Sequence, residues 1–167
     1  MASSKISVAF SVVSAFLVIC FLPASVFGGR AAPAVRFTVQ GRVFCDTCRA
    51  GFETPATTYI EGAKVKVECR EKTGVKTCSY DGVTDSSGNF NIVVADEHEH
   101  EICEAMLVSS PDVGCKTEVP GREKSRIFLS HNNGISSDIR FANSLGYQKD
   151  TPLAFCSELM KIYNQDD

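Results

Sequence analysis

Apolar and polar residues alternate along two stretches of the chain. Residues 37–45, FTVQGRVFC, place most of their apolar side chains at odd positions, and residues 63–69, AKVKVEC, do the same. A repeat of two predicts a β-strand with one buried face. We therefore predict strands over these two ranges, with Cys45 and Cys69 directed into the core and charged residues such as Glu68 on the solvent side.

Shorter strands separated by turn signals fill the middle of the chain. The strands and the turns between them read VKTCSYDGVT, DSSGN, FNIVVA and, further on, SRIFLS, HNNG, ISSDIRFAN. Short polar turns that contain glycine predict two hairpins here. Residues 102–110, ICEAMLVSS, are a further strand. Residues 50–62, AGFETPATTYIEG, have no period and are long for a simple connection, so we predict a loop that serves as a functional surface.

The C-terminal stretch TPLAFCSELMKIY, residues 151–163, has a helical spacing of apolar residues. Thr151 is a suitable N-cap and Pro152 a suitable first helical residue, so we predict a short helix or turn pinned by Cys156. In total the pattern contains about seven short strands, with a turn signal roughly every 8 to 12 residues. This predicts the all-β class, as a single antiparallel sandwich or barrel with a short C-terminal helix.

The first 28 residues have the order of a secretory signal peptide. Lys5 precedes an apolar run from Val8 to Leu22, and a stretch rich in Pro, Ala, Ser and Gly follows. The run of about 15 residues is shorter than the roughly 20 that a membrane-spanning helix needs. We predict a signal peptide over 1–28, a flexible N-terminus over 29–36, a β-domain over 37–163 and a tail over 164–167. No second apolar run follows, so we expect a secreted protein in the extracellular space, without a membrane segment after cleavage.

Charge and cysteine content narrow the class of protein further. Lys and Arg number 17 and Asp and Glu number 20, and the resulting net charge of -3 argues against a nucleic-acid partner. Of the eight cysteines, Cys20 lies in the predicted signal peptide, which leaves seven in an oxidising compartment. Cysteines there pair into disulfides, and an odd number leaves one thiol over.

Cys45 and Cys48 form a C-x-x-C motif with three interpretations: a redox dithiol, half of a zinc site, or the ends of two separate disulfides. If the strand continued through Cys48, the two Cα atoms would lie roughly 10 Å apart, beyond the limit of about 7 Å for a disulfide. The sequence has neither the βαβ pattern of a redox dithiol nor a second C-x-x-C for zinc. We therefore expect each cysteine to bond to a different partner, and the pairing itself stays open.

Two further groups contain residue types that carry chemistry. His98 and His100 in DEHEHE would share a face of an extended chain, and they are weak candidates for binding zinc or copper. The simpler interpretation of this segment is a solvated charged loop. Ser130, His131 and Asp138 are the residue types of a catalytic triad, but no nucleophile elbow accompanies them. We expect no enzyme activity and no cofactor.

Several motifs of this sequence closely resemble those of a known family. They are VQGRVFCDTCRAGFET, EGAKVKVECR, TDSSGNF and PLAFCSEL, together with single cysteines at Cys103 and Cys115. From about Phe37 to Tyr163, the chain resembles the Ole e I-like family of secreted pollen proteins and allergens. The resemblance implies one β-rich domain closed by three disulfides. Carried onto this chain, they are Cys45–Cys115, Cys48–Cys156 and Cys69–Cys103.

The resemblance also implies a function. It indicates a non-enzymatic extracellular role in pollen hydration, germination or pollen-tube growth, through signalling or wall interaction, together with allergenicity. The implied partner is a receptor ectodomain or a wall polysaccharide. The alternative is a structural cell-wall protein that binds polysaccharide. Residues 121–126, GREKSR, contain alternating basic side chains. They either bind an acidic partner, such as a pectic wall polysaccharide or a receptor, or form an exposed charged turn.

Cys78 departs from the family pattern because it is additional to the six paired cysteines. It alternates with Lys76 and Tyr80 rather than with Val75, so we expect it to face solvent. Its fate is an inert or half-buried thiol, an intermolecular bond or a reshuffled disulfide. We expect a monomer, with a Cys78-linked dimer as the alternative. The sequence has no Asn-x-Ser/Thr acceptor, since Asn143 is followed by Ser and Leu, so we expect no N-glycosylation.

Full reduction of the disulfides is expected to unfold the protein or to lower its melting temperature greatly. Each bond closes a long loop and contributes on the order of 3 to 5 kcal/mol in the chain-entropy model, against a typical net stability of about 5 to 15 kcal/mol. Circular dichroism melts with and without reductant measure this. An unchanged melt after complete reduction would contradict it.

Overall fold

Two β-sheets make up most of the described part of the chain, which is residues 35–163 of a computed structural model. The predicted signal peptide, residues 29–34 of the predicted N-terminus and the tail lie outside the described residues. In chain order the elements are β1 (Arg36–Asp46), β2 (Thr58–Tyr59), β3 (Lys64–Arg70), β4 (Lys76–Val83), β5 (Asn89–Ala95), β6 (Ile102–Ser109), β7 (Thr117–Glu118), β8 (Lys124–Ile127), β9 (Ile139–Phe141), β10 (Leu145–Gln148) and α1 (Cys156–Tyr163).

Strand β1 is the centre of the first sheet. Its N-terminal half pairs antiparallel with β5 and parallel with β9, so Gln40 has Asn91 on one side and Phe141 on the other. Its C-terminal half pairs antiparallel with β2 and parallel with β10, and β7 is added beyond β10. One strand of 11 residues therefore holds four others in place.

The second sheet has the strand order β4-β3-β6-β8 and is antiparallel throughout. Alternate side chains of both sheets point inward and are buried, and each large one stabilises the fold by about 1.5 to 3 kcal/mol. This core includes Phe37, Val39, Val43, Val65, Val67, Phe90, Ile92, Val94, Ala105 and Leu107. The predicted all-β sandwich with a C-terminal helix is confirmed. The parallel pairs of β1 with β9 and β10 differ from a purely antiparallel sandwich, because both strands reach β1 through longer connections than a hairpin.

The two predicted hairpins are wrong, although their turns form. At the first, Asp85 N donates to Asn89 O over 2.8 Å, and the Asp85 carboxylate accepts the N–H groups of Ser87 and Asn89. The strands on either side then separate, because β4 belongs to the second sheet and β5 to the first. The same holds for β8 and β9 around the second turn. Each turn carries the chain from one layer of the sandwich to the other.

Two predicted boundaries also need correction. The flexible N-terminus was predicted to extend to residue 36, but β1 begins at Arg36, and the carbonyl of Val35 accepts a hydrogen bond of 2.9 Å from Asp96 N. The helix begins at Cys156 rather than near Pro152. Leu153 N donates to a carbonyl at the end of β1, which holds the preceding residues in a non-helical path. Among the described residues, no helix has the length and apolar character needed to cross a bilayer.

Arg140 on β9 is a buried arginine, and it organises the connection between β8 and β9. Its guanidinium donates to the carbonyls of Phe128 at 2.8 Å, Ser130 at 2.7 Å and Ile139 at 3.0 Å, and also to that of Ser137. Only 3 % of the residue is exposed. The fixed planar fork of an arginine can reach several carbonyls at once, which a lysine cannot. The charge is therefore satisfied by backbone dipoles.

Replacing this group is expected to cost stability. We expect Arg140→Lys to leave two of the carbonyls without a donor, and each buried unsatisfied group costs about 1 to 3 kcal/mol, so the expected loss is about 2 to 6 kcal/mol. Urea unfolding measures it. Arg36→Lys, at an exposed arginine of β1, is the matched control and should change stability by less than about 0.5 kcal/mol. Equal effects of the two substitutions would contradict the role given to Arg140.

Candidate functional site

The C-x-x-C motif ties the end of β1 to two distant parts of the chain. Cys45 is bonded to Cys115 and Cys48 to Cys156, with Cα separations of 6.0 and 5.3 Å. This is the pairing that the resemblance implies. Because both sulfurs of the motif are engaged, it offers neither a thiolate for redox chemistry nor a ligand for zinc in this state.

The chain turns directly after β1, so an extended continuation through Cys48 does not occur. The buried carboxylate of Asp46 accepts hydrogen bonds from the N–H groups of Cys48 at 3.3 Å, Ala50 at 3.0 Å and Gly51 at 2.7 Å. Arg49 completes the turn with a φ of 57°, which is uncommon for a residue with a side chain. Asp46 is thus the group that shapes the turn, and it separates the two sulfurs.

Thr47 connects this turn to two neighbouring segments. Its hydroxyl donates to Ala56 O over 2.8 Å, and its carbonyl accepts from Leu153 N over 3.1 Å. The predicted loop 50–62 is therefore held against the turn, and its residues Thr58–Tyr59 form β2. The loop is an ordered surface next to β1.

Three cysteines lie side by side across the second sheet. Cys69 on β3 is bonded to Cys103 on β6, with a Cα separation of 4.0 Å, and it lies opposite Cys78 on β4. Cross-strand partners point to the same face. Cys78 is therefore half-buried against the core, together with Tyr80 two residues further on, and the expectation that it faces solvent is wrong. In the described part of the chain it is the one cysteine outside a disulfide.

The environment of Cys78 disfavours the thiolate form. Burial raises the pKa of the Cys78 thiol, and the negative charges of Glu101 and Glu68 raise it further. The thiolate is the form that attacks a disulfide or an alkylating agent. At neutral pH this favours the inert thiol among the three predicted fates.

His98 lies next to this row of cysteines, whereas His100 is exposed. The chain turns after His98, where Glu101 N donates to His98 O over 3.2 Å, so the two histidines do not share one face of an extended segment. His98 Nε2 lies 3.0 Å from Ala95 O, and Nδ1 lies 3.0 Å from a carboxylate oxygen of Glu101. The predicted pair of histidine ligands is not brought together.

His98 instead belongs to the one cluster of metal-ligating residue types among residues 35–163. The ligand atoms of Cys69, His98, Glu101 and Cys103 all lie within 4.8 Å of one another. Cys69 and Cys103, however, are bonded to each other, and zinc binds thiolates rather than a disulfide. The oxidised chain therefore does not present this cluster as a metal centre.

His131 is held between two carboxylates. Its Nδ1 lies 2.6 Å from Glu97 Oε1 and its Nε2 lies 2.9 Å from Asp138 Oδ1. The hydrogen bonds to Asp138 and Glu97 raise the pKa of His131. Both ring nitrogens face carboxylate oxygens rather than Ser130, whose hydroxyl accepts from Asn132 N instead. The Ser130, His131 and Asp138 group is not a triad. Glu97, 34 residues away, was missed because no local pattern links it to His131.

Basic residues of the 121–126 segment lie on the outer face of the second sheet, which we call the charged face. Lys124 and Arg126 on β8 point outward and continue rows of outward side chains on the other three strands. Five basic and three acidic side chains lie on this face: Lys64, Lys66, Arg70, Lys124, Arg126, Glu68, Glu104 and Asp81. It is thus net positive on a chain whose total charge is -3.

Glu68 lies at the centre of the charged face, and its side chain is only 3 % exposed. Lys66 Nζ lies 3.0 Å from one carboxylate oxygen, and Arg70 contacts the other. The hydrogen bond from Lys66 holds the pKa of Glu68 below its ordinary value, with a further contribution from Arg70, although burial opposes this. Glu68 faces outward as the alternation predicts, but its neighbours cover it.

The fold and the three disulfides define a class of protein: a small disulfide-closed β-sandwich. The family model described as "Pollen protein Ole e 1 like" matches residues 35–164, and the chain belongs to this family. It is 47 % identical over 132 residues to the pollen-specific protein C13 of Zea mays, covering 78 % of both chains.

Other comparisons agree with this assignment. The chain is 45 % identical over 125 residues to the anther-specific protein LAT52 of Solanum lycopersicum, covering 74 % of this chain and 78 % of that protein. It is 44 % identical over 129 residues to the pollen allergen Che a 1 of Chenopodium album, covering 75 % and 77 %. The crystal structure of the major plantain pollen allergen Pla l 1 matches with a TM-score of 0.63 at 27 % identity, covering 71 % of this chain and 97 % of that one.

Alkylation tests the environment of Cys78. Because burial raises its pKa, we expect iodoacetamide to modify native Cys78 more slowly at pH 7 than it modifies a small free thiol, with a rate that rises about tenfold per pH unit below the pKa. Mass spectrometry follows the reaction, and Cys78→Ser is the control that assigns the label. Labelling of native Cys78 as fast as the free thiol, or a Cys78-dependent dimer on a non-reducing gel, would contradict this.

Proposed function

We propose that this protein is secreted and acts outside the cell, as a non-enzymatic binding protein in pollen hydration, germination or pollen-tube growth. Membership of the pollen family supports the setting. The predicted signal peptide over 1–28 and the three disulfides support an oxidising, extracellular compartment. Relatives named as pollen allergens extend the proposal to allergenicity.

Binding rather than catalysis fits the chemistry of the described side chains. A general base needs a lone pair within reach of a substrate proton. Both ring nitrogens of His131 are in contact with carboxylate oxygens, one of Glu97 and one of Asp138. The sulfurs of the C-x-x-C motif are bonded elsewhere. The groups with catalytic residue types therefore serve the fold.

The main support for this proposal is the charged face. It holds Lys124 and Arg126 on β8 and Lys64 on β3 of one antiparallel sheet, with β6 between the two strands, and it is net positive on an acidic chain. An excess of positive charge on an ordered surface attracts a partner of the opposite sign and orients it before contact. The partner is therefore acidic: the acidic patch of a receptor ectodomain or a pectic wall polysaccharide.

The alternative function is that of a structural wall protein, for which the polysaccharide is the only partner. The same face would then bind polygalacturonate without any membrane partner. The two functions differ in whether wall polysaccharide or the plasma membrane of pollen retains the protein, and one experiment distinguishes them.

Binding should weaken when the charged face loses positive charge. We expect the combined variant Lys64→Gln, Lys124→Gln, Arg126→Gln to bind about tenfold or more weakly to immobilised polygalacturonate, or to crosslink less to pollen plasma membranes, and to lose its salt dependence. Lys66 stays intact because its removal would strand the buried charge of Glu68.

The control variant carries Lys116→Gln, Lys149→Gln and Lys161→Gln, with the same change of charge away from the charged face. It should bind as the unaltered protein does. Retention on polygalacturonate alone favours the structural wall protein, and capture of a membrane protein favours the signalling function. Equal weakening by both triple variants, or no binding to either fraction, would refute the charged face as the partner surface.

A further inference from the structure

The outer face of the first sheet has a different chemistry from the charged face. Strand β1 directs Gln40 and Arg42 outward, β5 directs Asn91 outward and β9 directs Phe141 outward. Together with Glu53 from the 50–62 loop, these residues line a cleft of about 430 Å³. This volume lies in the range of about 300 to 1,000 Å³ that small-molecule sites occupy.

The residues of the cleft form a row across three strands. Phe141 and Asn91 are the direct neighbours of Gln40 on either side. Adjacent strands are about 4.8 Å apart, so the row spans about 10 Å from ring to amide. That span is comparable with the length of a disaccharide unit. The ring of Phe141 is 76 % exposed, so it is available for contact.

Arg42 in the adjoining row is held in position before any ligand arrives. Its Nε donates to Asn89 Oδ1 over 2.8 Å, and its guanidinium carbon lies 4.4 Å from the centre of the Tyr59 ring. These contacts leave the terminal N–H groups of the guanidinium as donors. A donor that is already ordered loses little entropy on binding.

We propose that this cleft binds an oligosaccharide. A sugar ring has an apolar face of C–H groups and a rim of hydroxyls. The exposed ring of Phe141 matches the apolar face, since aromatic rings offer a large, rigid apolar surface. Hydroxyls both donate and accept, and the amides of Gln40 and Asn91 do the same, with Arg42 as a further donor.

The charges around the cleft select an uncharged sugar. Glu53 and Asp85 contribute carboxylates to the lining, against the single guanidinium of Arg42. Asp85 already accepts two backbone N–H groups in its turn, whereas Glu53 opens onto the cleft. An acidic saccharide would meet repulsion here, so the ligand is neutral. This site is separate from the charged face, and it stands or falls independently of the function proposed above.

The test uses the protein secreted from the full-length chain by a yeast host. Isothermal calorimetry is run with cellohexaose, mannohexaose and β-1,4-galactohexaose as neutral probes and with hexagalacturonate as the acidic comparison. We expect saturable binding of at least one neutral probe in the millimolar range or tighter. Hexagalacturonate should bind this site more weakly.

Substitutions of the exposed ring locate the site without affecting the fold. Phe141→Ala should weaken binding about tenfold and Phe141→Tyr by no more than about threefold, because the tyrosine keeps the stacking surface. Phe141→Trp should bind at least as tightly, and because the chain has no other tryptophan, its fluorescence should change on adding the probe. Phe155→Ala is the matched control, since Phe155 is 54 % exposed and lies outside the cleft.

Several results would overturn the proposal. One is the absence of saturable binding by all three neutral probes, and another is binding that Phe141→Ala leaves unchanged. Tighter binding of hexagalacturonate through Phe141 would refute the neutral class. A dimer in sedimentation experiments that Phe141→Ala abolishes would assign the face to a second copy of the chain instead.

Discussion

The backbone pairing of strand β1 is the constraint on which the rest of the fold depends. Its two halves hydrogen-bond to β5 and β9 and to β2 and β10 respectively, while its alternate side chains, such as Phe37 and Val43, supply part of the core. Gly41 shows how tightly the strand is packed. A Cβ at this position would lie 2.4 Å from Phe90 Cζ, so the phenylalanine ring of the paired strand occupies the space that a side chain would need. Among the described strands, β1 alone pairs with both groups.

The disulfides extend this dependence to parts of the chain that β1 does not pair with. The Asp46 turn directs one sulfur back into the sheet and the other toward α1, so the connection before β7 and the C-terminal helix are both fixed to one strand end. In the second sheet, the bond between Cys69 and Cys103 joins neighbours that the ladder already pairs. Cys78 lies beside this closed disulfide, and burial there raises the pKa of its thiol.

A sandwich has two outer faces, and in this protein they differ in chemistry. The outer face of the second sheet carries lysines, arginines and carboxylates, with one buried carboxylate at Glu68. The outer face of the first sheet carries amides and an exposed ring at Phe141. Both faces are rigid because the same core supports them. A rigid surface loses little entropy on binding, which suits a protein that acts by contact.

The alternation of apolar and polar residues was enough by itself to identify residues 37–45 and 63–69 as strands with Cys45 and Cys69 directed inward. The reason is that side-chain direction in a strand has a period of two. Turn chemistry located both glycine turns for a similarly local reason. Only the tertiary structure decided which strands pair across those turns, because pairing follows burial of the core, which joins residues far apart in sequence. The sequence likewise did not indicate the contact of Glu97 with His131 or the row in which Gln40 lies beside Phe141. In each case the residues are far apart in the chain and come together only when separate segments pack.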